Sequence, residues 1–414
     1  MNSPTTLCKD SNGTPCAHVK YWEIWNEFNR NSVDPSKFGS NPKVSWFASL
    51  DPSYGCPTKG HAPCPTPDQL MRMTEDARCI IVGTGYVENY PHRGDHTACS
   101  ALDWPAIGID PSAEIVQPSI TGPGKPDKAP SDALKCYLYC NVASCSTWYG
   151  SQCQSTWNYV ARSVDIMNFH YYTPQGNPED LDTSAFRAAL QGGDVNKPLW
   201  VGEGSWQDSL QQGNWWMDKY AQGGFIPRWF AAIWSQTLPA GCDWSSQMCQ
   251  QAFWYGYDYD TDVPDTGYNP HETGALYCPG QTAHGHCDDG SGQGGVGLIQ
   301  PQAAMWNVAY RWLNGATPSS STFCSKLSSN STVWHCDFTK SDGHSYSMVW
   351  DNSFAQNGNV MCASYNNPYI CGNTVYSVPS QFLAGTWTDL GTNVNYPTPT
   401  SLTIGLNPIL LISH

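Results

Sequence analysis

Charge is what this chain has least of. Only 13% of its 414 residues are Asp, Glu, Lys or Arg, and within that small set 35 acidic residues outnumber 20 Lys and Arg, for a net charge of -15. So few cations leave no electrostatic footprint for a phosphate backbone or an anionic lipid surface, which argues against nucleic acid and membrane as partners. Long hydrophobic runs are missing too: no stretch approaches the roughly 18 apolar residues of a membrane helix. The polar start Met1-Asn2-Ser3-Pro4-Thr5-Thr6 lacks the apolar core of a secretory signal. Cys136, Cys140, Cys145 and Cys153 are the nearest approach to a zinc site, and they contain no Cys-x-x-Cys pair.

Cysteine and aromatic residues are abundant. Eighteen cysteines are too many for a reducing compartment. Many fall in short-range couples: Cys8 and Cys16, Cys56 and Cys64, Cys242 and Cys249, Cys278 and Cys287, Cys324 and Cys336, Cys362 and Cys371. Loop-stapling disulfides are the simplest account, with Cys79 and Cys99 matched by elimination. A secreted, extracellular or periplasmic protein is expected, its leader lying upstream of Met1. Asn12-Gly13-Thr14 and Asn330-Ser331-Thr332 fit the glycosylation acceptor pattern. With 19 Trp and 22 Tyr but little charge, the composition suits sugar handling, although many of these rings are expected simply to fill a core.

From Lys20 to about Gly315, short apolar runs alternate with helix-length segments, the pattern of parallel strands joined by crossover helices. Strands are expected at Lys20–Trp25, Ala113–Pro118, Asp165–His170, Pro198–Gly202 and Gln251–Tyr255. Helices are expected at Pro67–Val82, Thr156–Ser163, Thr183–Leu190, Asn214–Thr237 and Pro301–Leu313. The stretch Ala316-Thr317-Pro318-Ser319-Ser320-Ser321 reads as a linker, dividing an α/β domain at 1–315 from a small antiparallel β-sandwich at 316–414. In the latter, strands are expected at Thr332–Phe338, His344–Trp350, Val360–Ser364, Thr386–Asp389 and Pro408–Ser413.

Two glutamates stand at strand ends. Tyr21-Trp22-Glu23-Ile24-Trp25-Asn26-Glu27 delivers an Asn-Glu pair into a polar loop, and Pro198-Leu199-Trp200-Val201-Gly202-Glu203-Gly204 ends in a Glu between two glycines. Retaining glycosidases hold two carboxyl groups about 5 Å apart, one protonated to assist the leaving group and one ionised to attack the anomeric carbon. The C-terminal face of a barrel brings strand ends to one cleft. Glu27 and Glu203 are therefore the candidate carboxylate pair. Trp22, Ile24 or Trp25 would be buried in barrel layers. Glu23 lies about 13 Å back along the strand from Glu27 and is expected to pair with a cation instead.

The wording Trp22-Glu23-Ile24-Trp25-Asn26-Glu27-Phe28-Asn29 resembles the glycoside hydrolases of clan A, most of all family 39, the β-xylosidases and α-iduronidases. The resemblance implies a (β/α)8 TIM-type barrel in which Glu27 is the proton donor of strand 4 and Glu203 the nucleophile of strand 7. Asn168-Phe169-His170-Tyr171-Tyr172 resembles the His-x-Tyr of strand 6, so His170 and Tyr172 would line the cleft with Asn26 and Trp206. Trp254 would be the strand 8 aromatic that stacks on the sugar. The segment Gly405-Leu406-Asn407-Pro408-Ile409-Leu410-Leu411 is similar to the end of the accessory sandwich behind such barrels. If Tyr21 begins strand 4, the residues ahead of it cannot supply strands 1 to 3, so the barrel is expected to lack them.

A secreted retaining glycoside hydrolase of carbohydrate polymers or oligosaccharides, needing no cofactor and no metal, is the resulting expectation. A non-catalytic carbohydrate-binding protein and a secreted structural protein are its rivals. His284, His286, Cys287, Asp288 and Asp289 form a group with metal-ligand character, but their glycine-rich setting and the Cys278 partner favour a disulfide loop.

Overall fold

The structure, a computed structural model, describes residues 19–25, 67–88, 96–121, 163–170, 177–180, 197–204, 218–237, 252–254, 301–319, 323–353, 362–392 and 394–414. The chain divides into two compact units, one of Met1–His170, Asp182–Gly202 and Pro239–Cys242, the other of Tyr171–Leu181, Glu203–Leu238 and Asp243–His414.

The first unit carries β1 (Tyr21–Glu23), α1 (Pro67–Ile81), β2 (Tyr86–Glu88), β3 (His96–Ala98), β4 (Glu114–Val116), β5 (Ile120–Thr121), β6 (Met167–His170) and the start of β7 (Leu199–Gly204). Strand β1 runs parallel to β4 with Tyr21 opposite Glu114. Val116 bridges in parallel to Ile166, just ahead of β6, and β5 pairs in parallel with β6. Parallel neighbours so distant in sequence need crossover connections, which gives the α/β character expected from the alternation of apolar runs. All four residues of β6 are buried, as in a parallel sheet covered on both faces.

Polar groups are gathered where the strands begin. Arg78, in the last turn of α1, donates from Nη1 to Asp165 Oδ2 at 2.8 Å, and the same oxygen accepts the Ile115 N–H at 2.8 Å. Lys197 Nζ donates to the Val164 carbonyl. Burial pushes the Lys197 ammonium below its usual pKa; Asp165 opposes that shift and Arg78 adds to it. Asp165 and Lys197 immediately precede β6 and β7, so this network lies where those two strands begin. The Cys79–Cys99 disulfide ties α1 to the turn after β3, with Val87 buried between.

Tryptophan placement differs from expectation on β1. Trp22 and Trp25 are 40% and 46% exposed, while Tyr21 turns inward to meet Trp200 edge-on at 4.7 Å, against Val116 and Ile166. Strand alternation explains Trp22, which faces away from Tyr21, whereas Trp25 lies past the end of β1. Glu23 Oε1 accepts the Ser119 N–H at 3.2 Å, and Lys20, just ahead of the strand, pairs with Glu114 at 2.8 Å.

The second unit is built on β8 (Ala252–Trp254), α2 (Lys219–Thr237), α3 (Pro301–Leu313), β9 (Thr317–Pro318), β10 (Cys324–Leu327), β11 (Asn330–Thr339), β12 (Ser345–Asp351), β13 (Thr374–Ser377), β14 (Thr386–Thr388), β15 (Tyr396–Pro397), β16 (Ser401–Ile404) and β17 (Ile409–Ile412). One sheet has the order β10-β11-β12-β17-β14-β15, with β9 also on β11, and β13 pairs with β16 apart from it. The residues read as a linker thus supply a strand, Thr317 opposite Thr339. The expected strand over Val360–Ser364 is a single 3-10 turn at Cys362–Ser364 among its described residues. The Cys362–Cys371 disulfide and a 2.6 Å hydrogen bond from Ala363 N–H to Asp218 Oδ2 hold it there. The Cys324–Cys336 disulfide joins β10 to β11. The remaining expected couples, and Thr183–Leu190, lie outside the described residues.

Strands β12 and β17 are buried on both faces because the sheet is a middle layer. On one side Val333, Val349, Ile409 and Leu411 pack against Tyr376, Leu402 and Ile404 of the β13–β16 ribbon. On the other, Phe338 meets Phe323, which meets Trp234 of α2. Helix α2 is buried almost all round, as a helix between layers must be. Asp218 caps it, accepting the Ala221 N–H at 2.9 Å. Gly223 and Gly224 admit close neighbours: a Cβ would strike Met305 of α3 from Gly223 and the Asn407 amide from Gly224.

Arg228, the one charged side chain in the interior of α2, has no exposed surface. Its Nε donates to Glu179 Oε1 at 2.7 Å, and its Nη2 to Glu179 Oε2 and Asn177 Oδ1, both at 2.8 Å. Nη1 reaches the Leu406 carbonyl at 3.4 Å, and the guanidinium lies 5.9 Å from the Trp350 ring centroid.

Arg228→Met leaves Glu179 buried without its partner and should destabilise the protein by about 3–5 kcal/mol, whereas adding Glu179→Leu should recover most of the loss; denaturant unfolding of the single and double variants measures both. Burial raises the Asp351 pKa, but hydrogen bonds from Thr374, Ser353 and Thr332 outweigh it and hold the carboxyl below its usual value. A depressed folded-state pKa gives stability that is present above about pH 4 and lost as pH falls through the folded value. Asp351→Asn should therefore flatten the acid limb of the stability curve, read by unfolding midpoints between about pH 5 and 2.

Candidate active site

Strand β7 ends in Glu203-Gly204, so Glu203 occupies the strand-end position that the sequence motif demands, partly buried. The residue before it explains how the strand is seated. Asn168 of β6 accepts the Gly202 N–H on Oδ1 at 2.8 Å, and a Cβ on Gly202 would overlap the Asn168 amide group. Glycine is thus required for β7 to approach Asn168, which fixes the backbone on the N-terminal side of Glu203. Asn168 has no exposed surface, and its Nδ2 has no hydrogen-bond partner among the described residues. The motif around His170 contained Asn168 without revealing this anchoring role. The Gly202-Glu203-Gly204 wording was the signal, since the first glycine marks a close approach rather than a flexible turn.

His170 closes β6, 1% exposed, one residue past the buried Phe169. Trp254 lies on β8, within the strand expected for it. Its side chain, together with Asn26, Glu27, Tyr172 and Trp206, lies outside the described residues. Of the expected pair of carboxylates the structure therefore describes Glu203. The His284–Asp289 group and the Cys136–Cys153 group are also outside; among the described residues no three His, Cys, Asp or Glu side chains converge in a metal-ligand arrangement. Among them, too, no helix is long and apolar enough to cross a membrane.

Chemically, a carboxylate at a strand end, backed by a glycine and an amide-anchored backbone, has the rigidity that an attacking group needs.

No family model matches the sequence, and no curated protein matches it. Solved structures do share features with it. A family 39 glycoside hydrolase from Bacteroides cellulosilyticus WH2 aligns with TM-score 0.44 and 12% identity, covering 74% of this chain and 52% of that one. A family 39 β-xylosidase from Caulobacter crescentus aligns with TM-score 0.32 and 15% identity, over 80% of this chain and 47% of that one. A family 51 arabinofuranosidase from Xanthomonas axonopodis pv. citri aligns with TM-score 0.42 and 9% identity, over 100% and 71%. The chain thus spans about half the length of the two family 39 structures.

Proposed function

We propose that this chain is a retaining glycoside hydrolase in which Glu203 attacks the anomeric carbon and Glu27 gives and then recovers a proton. The observation that carries the reading is the placement of Glu203 at the end of β7, behind a glycine that Asn168 holds. Glu27 enters from the sequence motif, two positions after the described Trp25. In this reading residues 1–315 belong to a TIM-type barrel, and residues 316–414 to an accessory β-sandwich. Asn26, His170, Tyr172, Trp206 and Trp254 line a cleft for carbohydrate, Trp254 by stacking on a sugar face. The described disulfides suit a secreted protein.

The chemistry follows from the two charge states. With Glu203 ionised and Glu27 neutral, protonation of the glycosidic oxygen and attack on carbon form a glycosyl-Glu203 ester and release the aglycone. Glu27, now ionised, removes a proton from water, which hydrolyses that ester and restores both groups. No cofactor takes part.

A mechanism that needs one carboxyl ionised and the other protonated should give a two-limbed pH profile of kcat/KM. Across a panel of aryl glycosides and polysaccharides, Glu203→Gln should lower turnover by about 10³-fold or more, a loss of about 4 kcal/mol of transition-state stabilisation. Sugar binding without hydrolysis in the intact chain, or full activity in Glu203→Gln, contradicts the reading.

A further inference from the structure

A second arrangement with catalytic geometry lies on the β-sheet of the second unit, and no part of the glycosidase reading uses it. Register builds it. Cys324 pairs with Cys336 across β10 and β11, which sets Ser325 opposite His335. Asp337 is two residues along β11 from His335 and so shares its face, and it pairs with Ser347 of β12. The side chains complete a relay: Ser325 Oγ lies 3.0 Å from His335 Nε2, and His335 Nδ1 lies 2.9 Å from Asp337 Oδ2. Ser347 donates to Asp337 Oδ1 at 2.6 Å.

Asp337 Oδ2 can only accept when ionised, so Nδ1 carries the imidazole proton and Nε2 faces the Ser325 hydroxyl as an acceptor. Burial would raise the Asp337 pKa, but hydrogen bonds from His335 and Ser347 prevail and keep it below the usual carboxylate value. His335 and Asp337 side chains are 25% and 42% exposed, so solvent and a small substrate reach them.

Strand polarity supplies a donor for a developing oxyanion. The Asp337 N–H donates to the Phe323 carbonyl at 3.3 Å. By the alternation of antiparallel pairs, Ser325 then bonds to His335 while the N–H of Lys326 points away from β11. Among the described strands β10 is the sheet edge. The N–H following the nucleophile is thus turned outward, just where the register shifts between Lys326 and Leu327. Bulges of this kind re-aim backbone next to active sites.

We propose that Ser325, His335 and Asp337 form a serine hydrolase centre acting on accessible carboxylic esters. Ser325 Oγ adds to the ester carbonyl carbon as its proton passes to His335 Nε2, and the carbonyl oxygen takes the negative charge beside the Lys326 N–H. Collapse breaks the bond to the alcohol oxygen, which leaves with the His335 proton. Water, deprotonated by His335, then hydrolyses the acyl-Ser325 ester, releasing the acid and restoring the serine. Asp337 orients and stabilises the imidazolium throughout.

The test is hydrolysis of p-nitrophenyl acetate by the full chain, together with labelling by a fluorophosphonate and peptide mass mapping. Ser325→Ala should lower the rate above the buffer background by about 100-fold or more, and His335→Ala should do likewise. The label should map to the peptide carrying Ser325. A rate no higher than buffer, or a rate and label unchanged in Ser325→Ala, overturns the proposal. Ser325→Ala removes one oxygen from a partly buried position beside an intact disulfide, and labelling of the unsubstituted chain decides the matter without any variant having to fold.

Discussion

The second unit depends on one buried charge. Arg228 is taken out of water entirely, and an unpaired guanidinium in that position would be prohibitive. Glu179 answers it through two oxygens, Asn177 through a third hydrogen bond, and the Leu406 carbonyl through a longer one. Each partner comes from a different stretch of chain, so Arg228 can be satisfied only when the 177–180 turn, α2 and the segment before β17 are all in place. Apolar burial alone tolerates slippage, whereas a forked donor meeting a forked acceptor does not. The Pro227 ring just before Arg228 lacks an N–H, so α2 is interrupted in its ladder where the pair forms.

Around that pair, packing is equally exacting. Gly223 and Gly224 let α3 and Asn407 approach α2 without a Cβ between them. Asn407 Nδ2 spans the carbonyls of Tyr220 at 3.2 Å and Pro368 at 2.9 Å. Asp218 caps α2 with one oxygen and holds the 3-10 turn after β12 with the other. The sheet therefore has no solvent face at its centre: the β13–β16 ribbon covers one side of β12 and β17, and α2 covers the other. Such a middle layer is why β12 and β17 show no alternation of burial.

That same feature marks what could be read from sequence. Period-3.6 patterns gave α1 and α3 nearly to the residue, because each has a single apolar stripe and Pro at its first position. Strands β4, β6 and β7 were legible as short apolar runs ending in polar motifs, and the Cys324–Cys336, Cys362–Cys371 and Cys79–Cys99 couples followed from spacing and elimination. What escaped were contacts between distant segments. Nothing local told that Thr317-Pro318 would pair with β11, or that a disulfide and Asp218 would curl Cys362–Ser364 into a turn. The change of period after Gly315 suggested a boundary, yet α2 and α3 pack with the strands that follow it. Nothing local named the partners of Arg228, a cation set between Pro227 and Trp229 in the middle of α2. The Trp22 ring illustrates the opposite error, where hydrophobicity was equated with burial although one face of a short strand stays outside, and Trp25 falls past the end of that strand.

For the site, the sequence supplied the motif and the structure supplied the support. Glu203 was legible as a strand-end carboxylate, whereas its seating by Asn168 through Gly202 requires the neighbouring strand. On the proposed mechanism Glu203 carries the sugar as a covalent ester. Incubation with activated 2-deoxy-2-fluoro glycosides, which slow the second step, followed by peptide mass mapping tests it most directly. The expected result is a mass increase of one fluorosugar on the peptide containing Glu203, released when a glycosyl acceptor is added. Turnover of the unfluorinated glycoside with the label on another carboxylate, or with no covalent adduct at all, would contradict it.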